Sequence, residues 1–249
     1  MNVLILAAGY ATRLYPLTLN KAKPLLVVGS KPIIEWLVDN LSGIPDLETI
    51  YVVTNDKFAA DFQAWSQGYQ QRHPEFRFKI FNDGSKGDDD KLGAIRDINF
   101  VLTQANLSET SLLIAAGDNL FTDSLVKFVE YARNTEVTVA VYDVGDAEAI
   151  KKYGNVAVDA HGIMTRFEEK PQNPQGTLAA IALYYYSPAV LSLLRTYLAA
   201  GNNADQPGRF VQWLYTRKPV KTFQIGGQWL DIGSKETLEN ADRILALLR

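Results

Sequence analysis

The chain has 249 residues, 47% apolar and 11% aromatic, enough for a sizeable core and too many for a disordered protein. Its net charge of −3, with no basic run, argues against a nucleic-acid surface, and the absence of cysteine removes disulfides, thiolate catalysis and thiolate metal sites together. His73 and His161 are too few for a His-rich zinc site, and no apolar stretch nears the roughly 20 residues that span a bilayer. The N-terminus has no charged leader, so a cytoplasmic location is expected.

Val3 to Ala8 is a continuous apolar run that predicts a buried parallel strand ending at a tight turn. After it come Gly9-Tyr10-Ala11-Thr12-Arg13, then Lys21 and Lys23, with no acid between Gly9 and Lys23. Exposed backbone N–H groups beside fixed cations suit a polyphosphate, because each hydrogen bond to an ionised oxygen is charge-assisted. The plainer reading is a connection whose cations face water. The loop is not a G-x-G-x-x-G fingerprint, since Ala11 holds the third position, nor a Walker A loop, since Pro24 follows Lys23.

Pro32 opens a predicted helix with Ile33, Trp36, Leu37 and Leu41 on one face. Ile50 to Val53 predicts a strand, and Lys57 to about His73 a polar-faced helix. Phe76, Phe78 and Ile80 alternate as a strand, and Leu92 to Leu102 reads as a helix. Leu112 to Ala116 is a second buried run; Leu125, Phe128, Val129 and Ala132 mark a helix, and Val137, Val139 and Val141 a strand. This βαβ alternation implies an α/β fold, a mostly parallel mixed sheet sandwiched by helices.

Beyond Asp143 short strands (Val156-Val158, Met164-Glu168, Ile181-Tyr186) sit among turns and helices. A closing amphipathic helix presents Leu238, Ala241, Ile244, Leu245 and Leu248. The expectation is one domain over 1–249, with an α/β core over 1–143 and an elaboration over 144–249. In open α/β sheets ligands bind outside the carboxyl ends of strands, where the Gly9 loop and Gly117-Asp118-Asn119 both lie. Asp118 is then either a turn or cap residue or a carboxylate at the mouth of a crevice.

Leu6 to Thr18, Lys23-Pro24 and Gly29-Ser30-Lys31-Pro32-Ile33 together resemble the signature of sugar-1-phosphate nucleotidylyltransferases, such as glucose-1-phosphate thymidylyltransferase and UDP-glucose pyrophosphorylase. Gly117-Asp118, Tyr153-Gly154, Glu169-Lys170-Pro171 and Trp229-Leu230-Asp231-Ile232-Gly233-Ser234 resemble further landmarks of that family, in its order. The resemblance implies a Rossmann-like, nucleotide-diphospho-sugar transferase fold. It also implies transfer of a nucleotidyl group from a nucleoside triphosphate, dTTP or UTP favoured, to a sugar-1-phosphate, with pyrophosphate released.

By the same resemblance, Ala8, Gly9, Ala11 and Thr12 contact the nucleotide, and Arg13 and Lys23 act catalytically on its phosphates. Asn82 and Gly93 stand in the base-reading region. Asp118 and Asp231 hold Mg²⁺, Asp231 coming into place from the elaboration. Glu169 takes sugar hydroxyls, Lys170 the sugar phosphate, and Gly154 lets the sugar approach the backbone. Neither nucleic acid nor membrane is an expected partner, and homo-oligomerisation stays open.

Departures accompany the match. Ala11 replaces a loop glycine, so positive φ is not freely available there. The stretch from Asn82 to Ala94 is longer and more acidic than the family's, and Ala182 stands where a sugar-facing glycine is common. Asp88 and Asp90 spell the D-x-D of nucleotide-sugar glycosyltransferases, but within a charged loop that reads as solvated. The alternatives are a cytidylyltransferase for a non-sugar alcohol phosphate such as phosphocholine, a glycosyltransferase, and a non-catalytic nucleotide-sugar-binding homologue. A non-catalytic homologue is expected to lose Arg13, Lys23 or Asp118, and all are present.

Overall fold

A computed structural model describes residues 1–247; Leu248, assigned above to the closing helix, lies outside them. In chain order the elements are β1 (Asn2–Leu6), β2 (Val27–Val28), β3 (Lys31–Pro32), α1 (Ile33–Asp39), β4 (Ile50–Thr54), α2 (Ala59–Arg72), β5 (Phe78–Asn82) and α3 (Ala94–Gln104). There follow β6 (Leu112–Ala116), β7 (Asn119–Phe121), α4 (Val126–Ala132), β8 (Val137–Asp143), α5 (Ala147–Ile150), β9 (Gly154–Val158), β10 (Met164–Glu169) and β11 (Leu178–Tyr186). The last are α6 (Pro188–Ala199), α7 (Gly208–Leu214), β12 (Lys221–Gln224), β13 (Trp229–Asp231) and α8 (Lys235–Leu247). Short 3₁₀ turns cover Thr12–Leu14 and Lys23–Leu25. The α/β class is as expected, a mixed sheet with flanking helices.

Contacts divide the chain into two compact units that interleave in sequence, a division that does not follow a boundary after Asp143. The first comprises Met1–Lys91, Ala115–Val126 and the segment from Gly227 onward; the second comprises Leu92–Ile114 and Lys127–Gly226.

In the first unit β1, β4 and β5 pair in parallel, Val3 opposite Ile50 and Ile50 opposite Phe78, and the end of β6 lies on the other side of β1. β1 and β4 are apolar without alternation because both faces are covered: Val3, Leu4, Ile5, Ile50, Val52 and Val53 are fully buried. A second apolar cluster of Val28, Ile33, Leu120, Ile232, Ala241 and Leu245 seats α8 against the β2–β3 hairpin and β13. The Gly29 N–H donates to Asp242 of α8 at 2.5 Å. A Cβ at Gly29, whose φ is +68°, would lie 3.1 Å from Trp36 and 3.3 Å from Leu245.

In the second unit β10 pairs antiparallel with β9, β9 with β11 and β11 with β8, while β12 runs parallel to β8. Its core packs Tyr186, Phe210 and Tyr197 edge to face. The strands β2, β3, β7 and β13 escape sequence reading for one reason. At two or three residues each, they are too short to show a period.

Candidate active site

The loop after β1 is shaped by fixed hydrogen bonds. Asn55, fully buried at the end of β4, donates its Nδ2 to the Ala8 carbonyl at 2.9 Å, and Tyr10 turns inward to donate its hydroxyl to the Ser85 carbonyl at 2.9 Å. Ala11 then adopts φ 50° and ψ 43°. The sequence predicts reluctance at this position, and the structure overrides it. The left-handed residue turns the chain into the Thr12–Leu14 turn, where Leu14 N–H returns to Ala11 O at 2.9 Å, and Thr18 Oγ1 donates to that same carbonyl at 2.8 Å.

Between these anchors Gly9, Thr12 and Arg13 are exposed and Ala11 is half-buried. Among the described residues, the N–H groups of Gly9, Ala11 and Thr12 donate to no protein acceptor. Backbone N–H groups without protein acceptors beside a left-handed residue are suited to an anion.

The end of β6 adjoins this loop. Gly117 N–H donates to Leu6 O at 2.9 Å. A Cβ on Gly117 would lie 3.1 Å from that oxygen and 3.2 Å from Pro24, so the close approach favours glycine. Asp118 is thereby set beside Lys23, whose Nζ lies 2.5 Å from Asp118 Oδ2. Both side chains are mostly covered, at 14% and 27% exposure.

Asp231 arrives from the far end of the sequence by strand pairing. β13 runs antiparallel to β7 with Asp231 opposite Asn119, and Ile232 N–H donates to Asp118 O at 3.3 Å. The pairing is locked by the Trp229 indole, which donates to Asn119 Oδ1 at 2.8 Å in a buried contact. Asp231, expected on the C-terminal elaboration, belongs with Asp118 to the first unit.

Asn82 ends β5 in the same unit, its amide donating to Asp56 at 2.8 Å and its oxygen accepting from Gly84 N–H at 2.9 Å. In the D-x-D loop, Asp90 accepts the N–H groups of Lys86 and Gly87, which hold its carboxyl below the usual range. Asp88 pairs with Lys91 at 3.3 Å.

The second unit holds Gly93, Gly154, Glu169 and Lys170. Gly93, with φ +86°, begins α3 against the 204–205 backbone; a Cβ there would lie 2.8 Å from Ala204 O. Gly154 and Glu169 are cross-strand partners on β9 and β10. A Cβ on Gly154 would strike the Phe167 ring at 2.5 Å. Burial raises the Glu169 pKa above its ordinary value, opposed by Lys170 and then Arg209. Lys170 has φ 51° and returns its N–H to Tyr153 O at 2.9 Å.

A strand-end loop of N–H groups without protein acceptors, an adjacent Lys–Asp pair and a second aspartate opposite Asn119 agree with one comparison. The family model for nucleotidyl transferase matches residues 2–246. The chain belongs to this family. Among nucleotidyl transferases it is 26% identical over 245 residues to the bifunctional protein GlmU of Methanocaldococcus jannaschii, covering 98% of this chain and 54% of that protein. It thus spans about half the length of such relatives. It is 29% identical over 257 residues to the glucose-1-phosphate thymidylyltransferase of Mycolicibacterium smegmatis, covering 97% of this chain and 81% of that one. In fold it is similar to UDP-glucose pyrophosphorylase solved with UDP-glucose, at a TM-score of 0.82, 20% identity, and coverage of 100% and 99% of the two chains.

Sequence reading misses Asn55, Tyr10, Asn119 and Trp229 as the groups that shape the loop and place Asp231. Asn55, a polar residue directly after a buried apolar strand, is the one signal that was available.

Proposed function

We propose that this nucleotidyl transferase joins a nucleoside triphosphate, dTTP or UTP favoured, to a sugar-1-phosphate and releases pyrophosphate. The supporting observation is the loop of unused N–H donors at Gly9, Ala11 and Thr12 beside Arg13 and the Lys23–Asp118 pair. The names of the relatives supply the substrate class. The attacking phosphate oxygen is already anionic, so no general base is needed. Catalysis becomes alignment of two polyanions and neutralisation of charge developing on the bridging oxygen.

The N–H groups of Gly9, Ala11 and Thr12 receive triphosphate oxygens. The Arg13 fork holds the β and γ phosphates, and Lys23 the α-phosphate. Lys170 holds the sugar phosphate and Glu169 accepts from sugar hydroxyls. Asn82 and Gly93 are assigned to the base, Ala8 to the nucleotide, and Gly154 to the sugar.

Mg²⁺ suits the donor chemistry, because Asp118 and Asp231 carry hard carboxylate oxygens on segments joined by the Ile232 N–H to Asp118 O bond. Bound there it would supply Lewis-acid and template chemistry. Among the described residues no cluster of three or more such ligands exists, so an ion here would need phosphate or water oxygens to complete its shell. No helix of the described residues is long and apolar enough to cross a membrane.

The phosphocholine alternative requires open aromatic faces. Tyr184, Tyr185 and Tyr186 are buried at 3%, 5% and 1% exposure, the Arg217 guanidinium covers Trp213 at 4.1 Å, and Trp229 packs in a buried contact. Incubation with Mg²⁺, each triphosphate and a panel of sugar-1-phosphates or phosphocholine, reading pyrophosphate, tests the assignment. Release with phosphocholine alone overturns the sugar reading.

A further inference from the structure

Gly208, the first residue of α7, has no conformational need to be glycine. Its φ is not in the left-handed region, and alanine is intrinsically favoured over glycine in a helix. Its surroundings give another reason. A Cβ on Gly208 would lie 2.0 Å from Glu169 Oε2 and 2.9 Å from its Cδ, with the Phe167 ring next at 3.2 Å. A Cβ on Gly154 would lie 3.3 Å from the same Oε2. The Glu169 carboxylate therefore occupies a slot with a glycine on each side. Gln212, one turn further along α7, accepts the Glu169 backbone N–H at 3.3 Å.

We propose that Gly208 is a positioning residue for sugar-phosphate recognition: its missing side chain is the space that holds the Glu169 carboxylate where a substrate hydroxyl can donate to it. This rests on the assignment of Glu169 to the sugar. The crowded atom is the end of a flexible side chain, so Gly208→Ala moves the carboxylate by about 1 Å and leaves the backbone in place. A misplacement of about that size can cost on the order of a hundredfold. A carboxylate is acceptor-only, so the slot suits ring hydroxyls or an ammonium, and the neighbouring Lys170 and Arg209 favour an anionic partner.

The test measures KM for glucose-1-phosphate and for the triphosphate in Glu169→Gln, Gly208→Ala and the double variant. Gly208→Ala is expected to raise the sugar-phosphate KM by roughly 10- to 100-fold. The triphosphate KM should stay within about twofold, and the midpoint of thermal unfolding should be unchanged or higher. In the Glu169→Gln background the same change adds little, because it acts through that side chain. If Glu169→Gln alone leaves the sugar-phosphate KM unchanged, the assignment of Glu169 falls. If Glu169→Gln raises it and Gly208→Ala does not, that assignment stands and the positioning role falls. Should Gly208→Ala not fold, Gly208→Ala/Glu169→Ala removes the obstructing carboxylate. Its folding supports the slot, and its failure overturns it.

Discussion

Ala11 shows how one residue can hold an unfavourable conformation when its neighbours fix it. A left-handed backbone costs a residue with a Cβ roughly 1–2 kcal/mol, yet Tyr10 on Ser85 and Thr18 on the Ala11 carbonyl leave the loop no other path. Ala11→Gly should therefore stabilise the protein by about 0.5–1 kcal/mol, read as a higher denaturation midpoint. Arg13 is exposed in the same loop, so Arg13→Lys should leave stability unchanged while lowering kcat/KM on the order of a hundredfold. Native turnover in that variant excludes a direct role on the triphosphate.

Glu169 supplies a pH test. Its folded pKa is raised by burial, so the stability it contributes is full below its unfolded pKa and is lost as pH rises through the folded value. Glu169→Gln should thus be more stable than the native protein at pH 8, with the gain vanishing below about pH 4. An equal difference at both pH values refutes the burial argument.

At the scale of elements, placement of Asp231 depends on a strand three residues long. β13 holds its register through β7 and through the buried Trp229–Asn119 bond, with α8 packed behind it. Trp229→Phe keeps most of the apolar volume but removes the indole donor to Asn119 Oδ1. It should cost about 0.5–1.5 kcal/mol and lower turnover as Asp231 loosens. A variant with native stability and impaired turnover would show that Trp229 acts on substrate instead. Asp118→Asn and Asp231→Asn should each lose on the order of a hundredfold in turnover. If both serve one ion, as we propose, the double variant should be little worse than the worse single. Additive losses indicate separate roles.

For the whole molecule, the assigned residues fall in two compact units. The residues we assign to the triphosphate and metal, Gly9, Ala11, Thr12, Arg13, Lys23, Asp118 and Asp231, belong to the first, and those we assign to the sugar phosphate, Gly154, Glu169 and Lys170, to the second. Hydrogen exchange resolves this assignment. A triphosphate with Mg²⁺ should protect amides of residues 9–13, and a sugar-1-phosphate those near 154 and 169–170. Protection in the reverse pattern overturns the division of labour.

The fold class and the buried strands β1, β4 and β6 were legible in sequence, as was the acid-free cationic loop after β1, because continuous apolar runs and charge patterns are local. The closing helix was legible for the same reason: Leu238, Ala241 and Leu245 recur at helical spacing and meet the apolar cluster. What lies outside local pattern was decided by tertiary structure alone. The left-handed turn at Ala11 follows from Tyr10 and Thr18 bonding to distant or looped-back partners. The meeting of Asp231 with the Asp118 segment follows from a strand too short to have a period. The slot around Glu169 is closed by Gly208, a residue on another element. Sequence reports what each segment prefers by itself, whereas these features are contacts between segments far apart along the chain.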